Sequence, residues 1–226
     1  MDVHKQELEI GELYARIREA LEKRFASFKM VWEHGSDEEV LCELLFCLLT
    51  PAARAHAAWQ ALSSLREKGL ILGGKQGCLD WEDRSQLVAR ELHIVRFKNN
   101  KARNILEAEQ RFTGPGNQSI RTELLRFRSH FEKREWLVHT VRGMGYKEAS
   151  HFLRNIGLFE DIAILDRHVL RNLTRFGVVE RMPEGLSRSR YLLLEEKMRV
   201  LAERMRVPLH HLDMVFWYRE TGEIFK

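Results

Sequence analysis

Val141-Arg142-Gly143-Met144-Gly145-Tyr146-Lys147-Glu148-Ala149 reads as the end of one helix, a tight hairpin and the start of a second helix. Two glycines flanking an apolar residue let the backbone turn sharply and leave bare N–H groups at a helix N-terminus, which attracts phosphate. Leu137, Val138 and Val141 before the turn, and Phe152, Leu153 and Ile156 after it, supply apolar faces that pack the two helices. The segment is a helix–hairpin–helix expected to bind nucleic-acid backbone through Gly143, Gly145 and the adjacent Arg142 without reading sequence. A simple helix–turn–helix crossing is the plainer reading of such a glycine pair. Carbonyls of the same turn are a possible seat for a monovalent cation.

Lys147 falls in the first turn of the second helix, and Asp166 follows it by nineteen residues. The positive end of a helix is unfavourable to a protonated amine, as a Schiff-base nucleophile requires. Lys147 reads equally well as a surface lysine on phosphate. Asp166, preceded by the apolar Ala163-Ile164-Leu165, is placed to cap the helix that begins at Arg167 and to sit at the edge of the core. The same position keeps its carboxylate ionised, which a proton acceptor beside an amine needs.

Outward from this centre, helical periodicity dominates. Leu13, Ile17, Leu21 and Phe25 form an i, i+4 stripe. Ser36 with Glu39 makes a capping box that opens an almost continuously apolar helix to about Leu49, the expected central buried helix, ended by Thr50-Pro51. Another helix runs to Gly69, and the glycine-rich stretch from Gly69 to Gly77 reads as a surface loop. A short helix around Leu87–Leu92 and one beginning near Asn99 or Asn100 follow. Gly114-Pro115-Gly116-Asn117 is a turn. Helices are expected around 119–130, 132–141 and 147–156, with Gly157 as a stop. Ser187-Arg188-Ser189-Arg190 reads as a basic link before a helix from Tyr191 to Met205, and His210 to Glu220 form the last. Strand-period segments of useful length, internal repeats and low-complexity stretches are missing from the pattern, so the fold is expected to be all-α.

The 226 residues suffice for one large domain or two small lobes sharing a core. Residues 1–226 are read as one unit, with a central lobe at 38–145 and a terminal-helix lobe from 1–37 plus 158–226, joined by the helix–hairpin–helix at 132–156. No run approaches a membrane span and the N-terminus lacks a signal-peptide pattern, so a soluble, cytoplasmic product without membrane contact is expected, nucleoid-associated in a prokaryote. Thirty-seven basic and thirty-three acidic residues give a net charge of +4, so any DNA-binding face must come from clustering. Cys42, Cys47 and Cys78 are not an even disulfide set, and the first two lie in an apolar run as buried thiols. Three cysteines exclude an iron–sulfur cluster ligated by cysteine alone, and no metal constellation emerges among the ten histidines.

The stretch from Val141 to Leu173 resembles the signature of the helix–hairpin–helix (HhH-GPD) DNA glycosylase superfamily. More narrowly, it is similar to the short archaeal-type (type 2) 8-oxoguanine DNA glycosylase/AP lyases. Glu43–Thr50, Val95–Ala102, Arg134–Leu137, Leu212–Tyr218 and the final Lys226 agree, so the resemblance spans nearly the whole chain. It implies a two-lobed helical fold, no cofactor, and a monomer acting on double-stranded DNA that contains 8-oxoguanine. It implies excision of that base, with Lys147 as nucleophile and Asp166 as partner, then strand cleavage by β-elimination. The damaged nucleotide must leave the stack for its C1′ to be reached.

Asp213 and Trp217 are spaced i, i+4 and share a helix face. Trp217 is a candidate to stack on the extruded base, with Asp213 accepting from guanine N1–H and N2–H₂. Phe97 resembles the family's opposite stacking wall, and Lys226 is expected to close the pocket. 8-Oxoguanine differs from guanine in carrying N7–H, which a carbonyl freed at the helix end near Pro51 is suited to read. Arg54, Lys98, Lys101, Arg167, Arg171, His151 and His168 are further candidates for DNA contact, His151 equally for the core. Two other readings are a helix–hairpin–helix glycosylase for a different lesion and a non-enzymatic, structure-specific DNA-binding module. The missing cysteine cluster argues against an endonuclease III type, and Lys147 against a monofunctional alkyl-base enzyme.

Overall fold

The computed structural model describes residues 3–72 and 80–226; Cys78 and the 73–77 part of the glycine-rich loop lie outside the described residues. The described chain is all-α. Its helices are α1 (Val3–His34), α2 (Asp37–Leu49), α3 (Ala55–Glu67), α4 (Trp81–Glu91), α5 (Lys98–Thr113), α6 (Ile120–Leu124), α7 (His130–Thr140), α8 (Tyr146–Asn155), α9 (Arg167–Arg175), α10 (Arg188–Met205) and α11 (Leu209–Thr221). The chain divides into two compact units, Met1–Met30 with Leu153–Lys226, and Val31–Phe152, the divisions falling inside α1 and inside α8.

The Val31–Phe152 unit is built on α2, where every residue from Val40 to Leu49 is buried. Its start is fixed by the expected capping box: Ser36 Oγ accepts from Glu39 N–H at 3.2 Å, and the Glu39 carboxylate accepts from Ser36 N–H at 2.7 Å. Three acidic residues in the first turn favour the positive end of the helix. Thr50 closes the helix, its N–H and Oγ–H both donating to Cys47 O. α3 and α5 pack against α2, and α5 also against α4. Each fully buried leucine here contributes about 1.5–3 kcal/mol relative to an exposed one. The helix expected over 119–130 is only Ile120–Leu124, because Ser129 caps a new helix with its own capping box to Glu132.

In the other unit, α9 and α10 pack on α11. The basic stretch Ser187–Arg190, expected as a link, is the cap and first turn of α10: Ser187 Oγ accepts from Arg190 N–H. A serine whose side chain accepts an orphan helical N–H starts a helix regardless of the arginines after it. Phe25 and Phe28 of α1, Phe159, His210 and His211 form a buried aromatic cluster. Gly157 adopts φ +87°, and a Cβ there would meet the Lys29 backbone, so the stop after α8 requires glycine.

Candidate active site and nucleic-acid interface

The hairpin is built as its sequence demands. Val141 N–H donates to Leu137 O, Met144 N–H to Val141 O, and Ala149 N–H to Gly145 O as the first bond of α8. Gly143 is left-handed, φ +82°, and a Cβ on it would run into the Asn104 side-chain amide. Gly145 is not left-handed, and a Cβ there would touch only the movable Glu148 carboxylate. Gly143 is exposed and Gly145 partly so; the N–H groups of both face no protein acceptor among the described residues, as phosphate binding requires. Arg142 is exposed and pairs with Glu107 at 2.7 Å. Behind the turn, Arg134 of α7 is buried, donates to Ser150 Oγ of α8 at 3.0 Å and lies over the Tyr146 ring. Tyr146 Oη donates to Glu135 at 2.7 Å. These ties hold the two helices of the motif in register.

Lys147 is in the first turn of α8, its side chain 25% exposed. Its Nζ donates to Thr50 Oγ1 at 3.3 Å and lies 3.0 Å from Glu148 Oε1. The end of α2 is occupied from its other side by Lys101 of α5. That lysine is 4% exposed, and its Nζ donates to Leu49 O and to Pro51 O, both at 2.7 Å. Burial first, and repulsion from Lys147 second, bring the Lys101 pKa down to about 8, against an opposing pull from Glu148. Four residues before Lys101, Phe97 occupies the N-cap position of α5 with φ 59° and is 67% exposed. A large aromatic held both outside the core and in the left-handed region costs the fold stability rather than adding to it. This unit therefore gathers Lys147, Thr50, Pro51 and Lys101 around the end of α2, with Phe97 at the head of α5.

In the other unit, Asp166 caps α9, its Oδ1 accepting from Val169 N–H at 2.8 Å; no protein group engages Oδ2 among the described residues. The three residues before it lie in no helix or strand, and each N–H is taken by a side chain. Ala163 N–H donates to Glu195, Ile164 N–H to Asp213 Oδ2 at 2.9 Å, and Leu165 N–H to Tyr191 Oη, which itself donates to Ala163 O at 2.7 Å. Asp213 is 2% exposed, with Oδ1 3.5 Å from Arg154. Burial raises its pKa to about 7 against the lowering pull of Arg154 and the Ile164 N–H. Every residue of α11 from His211 to Phe216 is buried, and Trp217 is partly exposed. The Trp217 ring meets His168 edge-on at 6.4 Å. Arg24 of α1 donates to Phe225 O and so ties down the tail that ends at the half-buried Lys226.

One expectation is corrected and one alternative is decided. Lys101 is no phosphate contact, because its ammonium is spent inside the unit on two carbonyls. The alternative left open for His151 resolves to the core, where its ring packs edge-on against Phe46 at 5.5 Å. Arg54, Lys98 and Arg167 are exposed, and Arg171 is paired with Glu220. Among the described residues, no group of three or more His, Cys, Asp or Glu side chains converges to hold a metal ion. Thr50, which receives Lys147, and Tyr191 and Glu195, which hold the backbone before Asp166, have no local sequence sign for these bonds, since a lone hydroxyl or a buried carboxylate makes no pattern.

Comparison with known proteins gives a consistent result. The 8-oxoguanine DNA glycosylase family model matches residues 21–207. The 8-oxoguanine DNA glycosylase/AP lyase of Fusobacterium nucleatum is 40% identical over 218 residues, 96% of each chain. That of Korarchaeum cryptofilum is 38% identical over 212 residues, 94% of this chain and 93% of its own. The crystal structure of the 8-oxoguanine DNA glycosylase of Thermotoga maritima superposes with a TM-score of 0.82 at 33% identity, covering both chains fully. The Methanocaldococcus jannaschii 8-oxoguanine glycosylase/lyase, crystallised in complex with a 15mer DNA containing 8-oxoguanine, gives 0.83 at 32% identity, covering 98% of this chain and all of its own.

Proposed function

The chain belongs to the 8-oxoguanine DNA glycosylase family, and from that membership we propose that it excises 8-oxoguanine from double-stranded DNA and cuts the strand at the resulting abasic site, with Lys147 as the nucleophile. The observation that carries the residue assignment is the setting of Lys147: a partly exposed amine in the first turn of α8, beside a hairpin whose N–H groups are open to phosphate.

The chemistry follows from these groups. The Lys147 amine attacks C1′ of an extruded nucleotide as the N-glycosidic bond breaks, its electron pair leaving with the base. Asp166 takes a proton from the attacking amine and offsets the positive charge on the sugar. Opening of the C1′–O4′ bond gives an iminium, which acidifies the C2′ proton; loss of that proton expels the 3′ phosphate, and water then releases the lysine. Phe97 and Trp217 are the aromatic surfaces offered to the base, and the Pro51 carbonyl is the acceptor offered to N7–H. Arg142, Gly143, Gly145 and His168 are assigned to backbone phosphate, and Lys226 to closure of the base pocket. The enzyme acts as a cytoplasmic monomer.

The test is an excision and nicking assay on duplexes that carry 8-oxoguanine or guanine at one position. The proposal expects cleavage of the oxidised duplex alone, and no nicking of either an oxidised or an abasic duplex by Lys147→Gln. A Lys147→Gln protein that still nicks the abasic duplex would remove Lys147 from the mechanism.

A further inference from the structure

Two lysines of different elements meet the same three residues at the end of α2. Lys147 Nζ bonds the Thr50 hydroxyl, while Lys101 Nζ bonds the carbonyls on either side of it, Leu49 O and Pro51 O. Carbonyls at a helix C-terminus carry partial negative charge and lack intrahelical partners, so they hold a buried ammonium where water does not. That ammonium is what Lys147 faces from α5. From its own helix it faces the opposite charge, Glu148 Oε1 at 3.0 Å. The Glu148 carboxylate and the Lys101 ammonium thus act on the Lys147 amine with opposite sign.

We infer that Lys101 is a positioning residue for the lyase reaction, a buried cation that fixes the end of α2 under Lys147 and offsets the Glu148 charge beside the attacking amine. The inference rests on the reading of Lys147 as nucleophile. Lys101 has no route to the substrate's phosphates from its buried site, and packing alone would be served better by a methionine, which carries no charge to desolvate. Below pH 8 Lys101 carries its charge despite its burial, so the effect operates at neutral pH. It also binds Pro51 O directly, so the carbonyl assigned to N7–H and the resting place of the nucleophile share one support.

The experiment is the rate of borohydride trapping on a preformed abasic duplex as a function of pH, for wild type, Lys101→Met and Glu148→Gln. Removing the cation leaves Glu148 unopposed, so the acid limb of the Lys101→Met profile moves up by about one pH unit. Glu148→Gln moves the same limb down. A Lys101→Met profile lowered in amplitude but unshifted in pH would mean a purely structural lysine and overturn the inference, as would an adduct formed on Lys101 itself. If Lys101→Met does not fold, Lys101→Gln, which keeps a donor for the α2 carbonyls without the charge, takes its place, and an unshifted limb again overturns the inference. A wild-type protein that yields no adduct fails at the level of the Lys147 reading, which separates the two claims.

Discussion

Asp166 meets two demands with one carboxylate. Its Oδ1 caps α9, and its charge is assigned to the reaction. Asparagine caps a helix about as well as aspartate does, so Asp166→Asn separates the two. It is expected to keep its melting temperature and its affinity for an 8-oxoguanine duplex while excision falls about 100-fold or more. Turnover at the wild-type rate would leave Asp166 with the cap alone. Phe97 offers the converse case, a residue whose cost to the fold is visible: φ 59° on an exposed aromatic. Phe97→Gly relieves about 1 kcal/mol of left-handed strain and is expected to raise thermal stability while excision drops. A variant that is less stable yet fully active would contradict a role in stacking.

At the scale of elements, the two glycines of the hairpin are not equivalent. Gly143→Ala forces a Cβ into the left-handed region and against Asn104, whereas Gly145→Ala meets only a side chain that can move. Binding of undamaged duplex, measured at fixed salt, should weaken markedly for Gly143→Ala and little for Gly145→Ala; equal losses would mean the turn geometry is not what binds. The distinction is beyond the sequence, where both glycines are simply permissive. What the sequence does reveal at this scale has a local cause. The capping box at Ser36–Glu39, the cap at Asp166 and the stop at Gly157 are each written in a few adjacent residues, and each lies where expected. The burial of Lys101 and of Asp213 has no such local sign, because it is decided by distant partners: carbonyls fifty residues away for one, and the Ile164 N–H with Arg154 for the other. Charge suggests the surface for Lys101. The bonding of segment 163–165 has no local sign for the same reason, since the groups that hold it are single side chains on α10 and α11.

At the scale of the molecule, the unit containing the chain termini buries titratable groups that give stability a pH dependence. Burial, the neighbouring His211 and Lys29 bring His210 down to about 3, from an ordinary value of 6.5. Between these values the unfolded chain binds a proton that the folded chain refuses, so stability is intact above pH 6.5 and is lost progressively as pH falls toward 3. Asp213, raised to about 7, runs oppositely, its contribution declining as pH rises toward that value. His210→Phe is therefore expected to lose less melting temperature than wild type on acidification, and parallel losses would show that His210 is not the group responsible. The central claim, however, is that one amine on α8 forms the covalent link to DNA. It is tested most directly by trapping the wild-type protein with borohydride on an 8-oxoguanine duplex, digesting it and locating the adduct by mass spectrometry. The account predicts the sugar remnant on Lys147; an adduct on any other lysine, or none at all, would contradict it.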